Sequence, residues 1–267
     1  MRLIEPHIHT SSRTTVDLYR MAAAGIVACV EPSLWSGIYR RSPESFEDYW
    51  EQVVTHEAKR AAEYGISHFA MVGLNPREAG SPIALDVLKA MEPFLDRPSV
   101  IGVGEVGLDM ATPEEEDALR RQLRMAEERR MPVLVHCTPR NREKCVERVI
   151  SIIEDEQVTQ ERIVMDHSDR RCAALTLEQT GCWAGLTVNG PCGLSAPEAV
   201  DMIERYGMER ILVNGSADWG SSDPLAVPKV AMLMRQRGFS KEAVASLVFC
   251  NPASFLGSSG RFDIGED

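Results

Sequence analysis

A chain of 267 residues, 44% of them hydrophobic, can bury a substantial core within one large domain. Its formal charge of −11 and pI near 5.1 argue against docking on an anionic membrane or along long nucleic acid, where clustered Lys and Arg supply the affinity. No uncharged apolar run is long enough for a membrane span.

The first segment, RLIEPHI, runs into the pair His7 and His9. Residues i and i+2 of an extended chain share a face, so both imidazoles emerge together where the apolar run ends. The pattern begins within about two residues of Met1, which is read as leaving no room for a signal peptide. GIVACVEP is the second strand. An amphipathic stretch then opens at Ser45-Phe46 and closes at Tyr64-Gly65, with Gly65 placed beyond its last turn. HFAMVGL is the third strand, and SVIGVGEV, the fourth, carries Glu105. TPEEEDALRRQLRMAEERRMP reads as a helix with Thr112 as N-cap, Pro113 in the first turn, and Arg129 and Arg130 at its end. PVLVHC delivers His136, RIVMDH delivers His167, and CWAGLTV leads to Asn189. SAPEAVDMIERYG repeats the helical pattern up to Gly207, and RILVNG, the eighth strand, precedes Asp218. Lys241 to Leu256 is expected to form one more helix, packed on the outside.

Near-continuous Val/Ile/Leu runs alternating with helices imply a parallel sheet covered by helices. Eight such units favour an α/β fold closed as a TIM (β/α)8 barrel, a single domain over residues 1–267. Seven cysteines, an odd count without CxxC spacing, read as reduced thiols of a cytoplasmic protein.

In a barrel the C-terminal ends of all strands meet at one rim. That rim would gather His7, His9, Glu105, His136, His167 and Asp218. Four of the chain's six histidines fall there. The other two, His56 and His68, are read as core histidines satisfied by backbone carbonyls. Four imidazoles and two carboxylates exceed what one tetrahedral Zn²⁺ with an open position needs. They suit two divalent ions about 3.5–4 Å apart, bridged by a carboxylate. Glu105 is the natural bridge, and Asp218 would bind one ion and orient the attacking water. Zn²⁺ is the first choice of metal, although the donor set also accepts Mn²⁺, Fe²⁺ or Ni²⁺.

HxH after strand one, GEVGLD in and after strand four, and single histidines after strands five and six resemble the TatD-related metal-dependent hydrolases of the amidohydrolase superfamily. The resemblance spans the chain, and NPASFLG (Asn251 to Gly257) resembles the superfamily's closing helix. It implies a TIM-barrel hydrolase with a one- or two-metal centre and places the ligands on His7, His9, Glu105, His136, His167 and Asp218. Two stretches depart from the family pattern. DHSDRR stands where HCFSG is usual, and NGSADWGSSDP where ETDxP is usual, so Asp223, before Pro224, is the alternative to Asp218. Family members act as nucleases, but the altered loops and acidic balance argue against long DNA as the substrate here.

On the same rim, Arg13 and Arg140 are candidates for gripping a phosphate or carboxylate. Trp35 and Trp219 are candidates for apolar walls, and Asn75 and Asn189 for hydrogen bonds to substrate. Each is equally well read as a loop or cap residue without substrate contact. Glu31 and Asp109 are read as orienting neighbours, and Arg40-Arg41 as solvated charges or a lid. The resulting expectation is a metal-dependent hydrolase with two divalent ions, cleaving a phosphoester or amide-type bond in a small molecule. Two alternatives remain: a mononuclear deaminase or lactonase of the same superfamily, and a non-catalytic metal- or partner-binding barrel. A homo-oligomer is left open.

Overall fold

All eight expected strands form, and each lies parallel to its sequence neighbour in the order β1 to β8. They are β1 (Leu3–Glu5), β2 (Ile26–Pro32), β3 (Ser67–Val72), β4 (Val100–Leu108), β5 (Val133–Cys137), β6 (Ile163–Asp166), β7 (Trp183–Thr187) and β8 (Ile211–Asn214). The structure is a computed structural model and describes residues 1–139, 141–190 and 193–265. The barrel is nearly closed. Between β8 and β1 the seam is held by the chain just past each strand. Ser216 N donates to the His7 carbonyl (2.8 Å) and His9 N to the Ala217 carbonyl (3.0 Å). Lower in the seam the buried Glu5 carboxylate accepts from Gly215 N at 3.0 Å.

Strand alternation sorts the apolar residues into two populations. Ile4, Val30, Met71, Ile101, Leu134, Val164 and Leu212 fill the barrel interior, while Leu3, Cys29, Val72, Val100, Val135 and Val213 pack under the surrounding helices. Helix starts follow their caps. Ser42 precedes Pro43 at the head of the helix Pro43–Glu51, which continues through 52–62 to the left-handed Gly65 (φ +72°). The Thr112 side chain accepts from Glu115 N at 3.3 Å to start Pro113–Glu128, and Ser195 forms a capping box with Glu198. The helical stretch from Lys241 to Leu256 corrects the expectation of an external helix. Its Phe255 and Leu256 join the interior residues, and Asn251 Nδ2 donates to the Met208 and Ile211 carbonyls at the start of β8. It therefore plugs the end of the barrel opposite the histidines. None of the helices is long and apolar enough to cross a membrane among the described residues.

Two structural histidines differ from expectation. His56 is exposed on its helix. His68 is buried, but its partner is a carboxylate: Nε2 lies 3.0 Å from Glu31 Oε2. Glu31 also accepts from Ser11 N (3.1 Å), Ser11 Oγ (2.6 Å) and Thr10 Oγ1. It thus anchors the turn that follows His9, the orienting role expected of it. Burial alone would raise its pKa, but the bonds from His68, Ser11 and Thr10 outweigh it and hold the carboxyl below the usual glutamate range. A depressed folded pKa stabilises above the unfolded value, about 4.5, and the benefit is lost as pH falls through the folded one. Glu31→Gln is therefore expected to cost about 2 kcal/mol at neutral pH and to lose less stability on acidification. Chemical denaturation from pH 7 down to 3 checks both, and an unchanged acid limb would refute the assignment.

Candidate metal centre

The HxH segment is pinned on both sides. Ile8 N donates to the Val30 carbonyl of β2 (3.0 Å), and the flanking residues bond across the seam to 216–217. Ile8 consequently packs outward into the core, while His7 and His9 turn inward to the same point. Their Nε2 atoms lie 3.1 Å apart.

Glu105 lies within β4, three residues before its end, so its carboxylate enters the mouth from inside the barrel. Oε1 is 3.0 Å from His7 Nε2, 3.7 Å from His9 Nε2 and 3.6 Å from His167 Nε2, and Oε2 is 3.6 Å from His136 Nδ1. Asn75 Nδ2 donates to Oε2 at 3.1 Å, and its Oδ1 accepts from Arg77 N. Asn75 thereby caps the short helix Pro76–Ala79 and orients Glu105. Burial opposes ionisation of Glu105, but His136, His167 and His7 outweigh it and hold its pKa well below the carboxylate norm.

Asp166, the last residue of β6, was not singled out in the sequence because His167 follows it directly. Its Oδ2 accepts from His7 Nδ1 at 2.5 Å, which leaves the Nε2 lone pair facing the centre. Its Oδ1 accepts from Asn214 Nδ2 (2.8 Å) and Thr187 Oγ1 (3.3 Å). Only glycine fits opposite, since a Cβ on Gly185 would lie 2.1 Å from Asp166 Oδ1. Burial disfavours the His7 imidazolium, yet Asp166 and Glu105 raise its pKa to about 10. The same two carboxylates favour a metal cation at this place. Burial lowers the pKa of His167, favouring the neutral ring that a metal needs.

His136 Nδ1 and His167 Nε2 are buried, face Glu105 and have no hydrogen-bond partner among the described residues. Buried polar atoms are rarely orphaned in this way. Donor atoms of His7, His9 and Glu105 lie within 4.8 Å of one another, as do those of Glu105, His136 and His167. These residues fit one or two divalent ions. The remaining expected ligand, Asp218, is not brought into either group. The loop after β8 closes on itself, and the Asp218 carboxylate accepts from Gly220 N (2.7 Å) and Ser222 Oγ (3.3 Å). It stands on the cavity wall, while Ser216 faces the centre with Oγ 3.4 Å from His7 Nε2. Asp223 caps Leu225 N and pairs with Lys229, away from the metal cavity.

A cavity of about 310 Å³ opens above the donors, and Trp35, Asn75 and Asn189 line it as expected of rim residues. Arg13 does not reach it. Its guanidinium is held by Asp17 (3.1 Å) and the Asp218 carbonyl. Trp219 is exposed and outside the cavity wall, and Arg140 lies outside the described residues. Two other arginines line the cavity, Arg77 and Arg142. Neither adjoins a strand end in the sequence. Each sits at the first turn of the helix that follows, so strand-end reasoning passes over both.

Residues 6–256 match the family described as TatD related DNase. This chain belongs to the TatD-related DNase family. It is accordingly a metal-dependent hydrolase. An uncharacterized metal-dependent hydrolase of Methanocaldococcus jannaschii is 29% identical over 95% of this chain and 99% of its own. A 3′-5′ ssDNA/RNA exonuclease TatD of Klebsiella pneumoniae is 31% identical over 48% of this chain and 46% of its own. The TatD-like protein of Archaeoglobus fulgidus shares the fold with a TM-score of 0.81 at 23% identity, covering 95% of this chain and 99% of that one. The phosphotriesterase homology protein of Escherichia coli, solved with phosphate in its active site, shares it at 0.67 and 15% identity, covering 96% and 98%. The TatD relatives overturn the exclusion of nucleic acid that the acidic balance suggested. Net charge describes the whole surface, whereas a strand end needs only a small cationic site.

Proposed function

We propose that this TatD-related barrel hydrolyses phosphoester bonds with a pair of divalent ions, Zn²⁺ the first candidate, and that a single-stranded nucleic acid end is its substrate. The observation that supports a pair is that Glu105 belongs to two groups of donor atoms, each within 4.8 Å of one another, one with His7 and His9 and one with His136 and His167. Divalent ions there supply Lewis acidity and neutralise charge gathering on a phosphoryl oxygen. The chain's own residues do the rest. Asp166 holds the proton on His7 Nδ1, and Thr187 Oγ1, 2.9 Å from His167 Nδ1, fixes the second ring. Arg77 and Arg142 favour an anionic phosphoryl group over a neutral amide. Asp218 lines the cavity, and a role for it with the leaving group or water would require its carboxylate to leave Gly220 N and Ser222 Oγ.

Metal analysis after dialysis and reloading is expected to give two ions per chain. Prolonged chelation is expected to abolish turnover of p-nitrophenyl phosphate and of a single-stranded oligonucleotide, with Zn²⁺ or Mn²⁺ restoring it. One ion per chain would favour the mononuclear alternative, and turnover that survives complete metal removal would sink the reading.

A further inference from the structure

Beside the metal cavity lies a larger one of about 920 Å³, and Trp35 and Arg77 belong to the walls of both. Its other walls come from loops after β2, β3 and β4. The Arg77 guanidinium lies 4.5 Å from the centre of the Trp35 ring. Tyr39, on the loop after β2, leaves 66% of its surface in water at the cavity edge. Its neighbours in sequence have different tasks. Arg40 is committed to Glu78 at 2.8 Å and lies over the rings of Phe46 and Tyr49, so it roots the loop. Arg41 is exposed and has no ion-pair partner among the described residues.

The acidic groups on this wall are largely engaged. Glu115 accepts from the backbone N–H groups of Asp109, Met110 and Ala111 at 2.8–3.0 Å. Asp109 accepts from Thr138 Oγ1 at 2.7 Å and faces Arg77 Nε at 3.6 Å. Glu114 sits in the first turn of Pro113–Glu128, against the positive end of that helix. What remains, continuous with the metal cavity, is an aromatic edge with the Arg41 guanidinium and, beside it, Arg77, which is shared with Asp109 and Trp35. That pairing matches a base beside a phosphate: aromatic rings stack on any base, and guanidinium forks grip phosphate oxygens.

We propose that this second cavity holds the nucleotide next to the scissile phosphodiester of a single-stranded nucleic acid, its base against Trp35 and Tyr39 and its phosphate at Arg41 and Arg77. The proposal rests on the phosphoester reading above and adds a second binding site to it. The test is binding of a short labelled phosphorothioate single strand, which resists hydrolysis, to the metal-loaded protein. Tyr39→Ala and Arg41→Ala are each expected to weaken binding about tenfold, and Arg41→Ala also to flatten its salt dependence. Tyr19→Ala, an equally exposed tyrosine on the helix Thr15–Ala23, serves as the control and leaves binding unchanged. Absence of binding, or an unaltered Kd in both groove variants, overturns the proposal. Where that occurs while p-nitrophenyl phosphate is still turned over, the phosphoester reading stands and only the groove assignment falls. Weakened binding in both variants of a protein that turns over no phosphoester would uphold the groove and defeat the hydrolytic reading instead.

Discussion

If the proposed pair of ions is bridged by Glu105, Glu105→Ala is expected to remove both metal equivalents and to lower kcat/KM by a factor on the order of 10³, about 4 kcal/mol of transition-state stabilisation. The carboxylate is buried among four imidazoles, with one oxygen toward His7, His9 and His167 and the other toward His136. Without it the imidazole sets have no shared anion, and two cations so close together would repel each other unscreened. Asn75→Ala provides the graded comparison. It removes one hydrogen bond to Oε2 at 3.1 Å, so a smaller loss, about tenfold, is expected. Metal content and steady-state kinetics on the same preparations decide the matter. Two ions per chain in the Glu105→Ala protein would exclude the bridging role.

Asp166→Asn should lower metal affinity by about 10–100-fold, equivalent to roughly 1.4–2.7 kcal/mol, with kcat at saturating metal falling less. The wild-type carboxylate receives three donors: His7 Nδ1, Asn214 Nδ2 and Thr187 Oγ1. An amide supplies one acceptor oxygen and sets its NH₂ against one of those donors, so the His7 tautomer is no longer enforced. Gly185→Ala should give the same loss by another route, because its Cβ would occupy space that Asp166 Oδ1 now fills. Competition with a chelator of known affinity measures the shift. Wild-type affinity in both variants would show that Asp166 is not what orients His7.

Much of this arrangement was legible in the residues. Eight runs of Val, Ile and Leu became eight parallel strands because such runs are buried on both faces. Alternation in an extended chain was enough to put His7 and His9 on one side, and GEVGLD to put Glu105 near them. What escaped was whatever depends on how loops fold back. Asp218 is near the end of β8 along the chain, but Gly220 N and Ser222 Oγ draw its carboxylate into its own turn. Asp166 was masked by the histidine beside it, and its importance shows only against Gly185 and Asn214 on neighbouring strands. Arg13 seemed free in sequence yet is consumed by Asp17, while Arg77 and Arg142 reach the cavity from helices. The sum of charges, finally, could not report that two guanidinium groups converge at one mouth of an acidic protein.

The seam between β8 and β1 ties the donors to the closure of the barrel. The backbone frame that aims His7 and His9 is completed by Ser216 and Ala217, far along the chain from them. A barrel whose eighth strand has come away still carries all four imidazoles and Glu105, but it lacks two of the backbone bonds that hold the first pair in place. Opening of this one seam is therefore expected to loosen the donor cluster before the rest of the fold is lost.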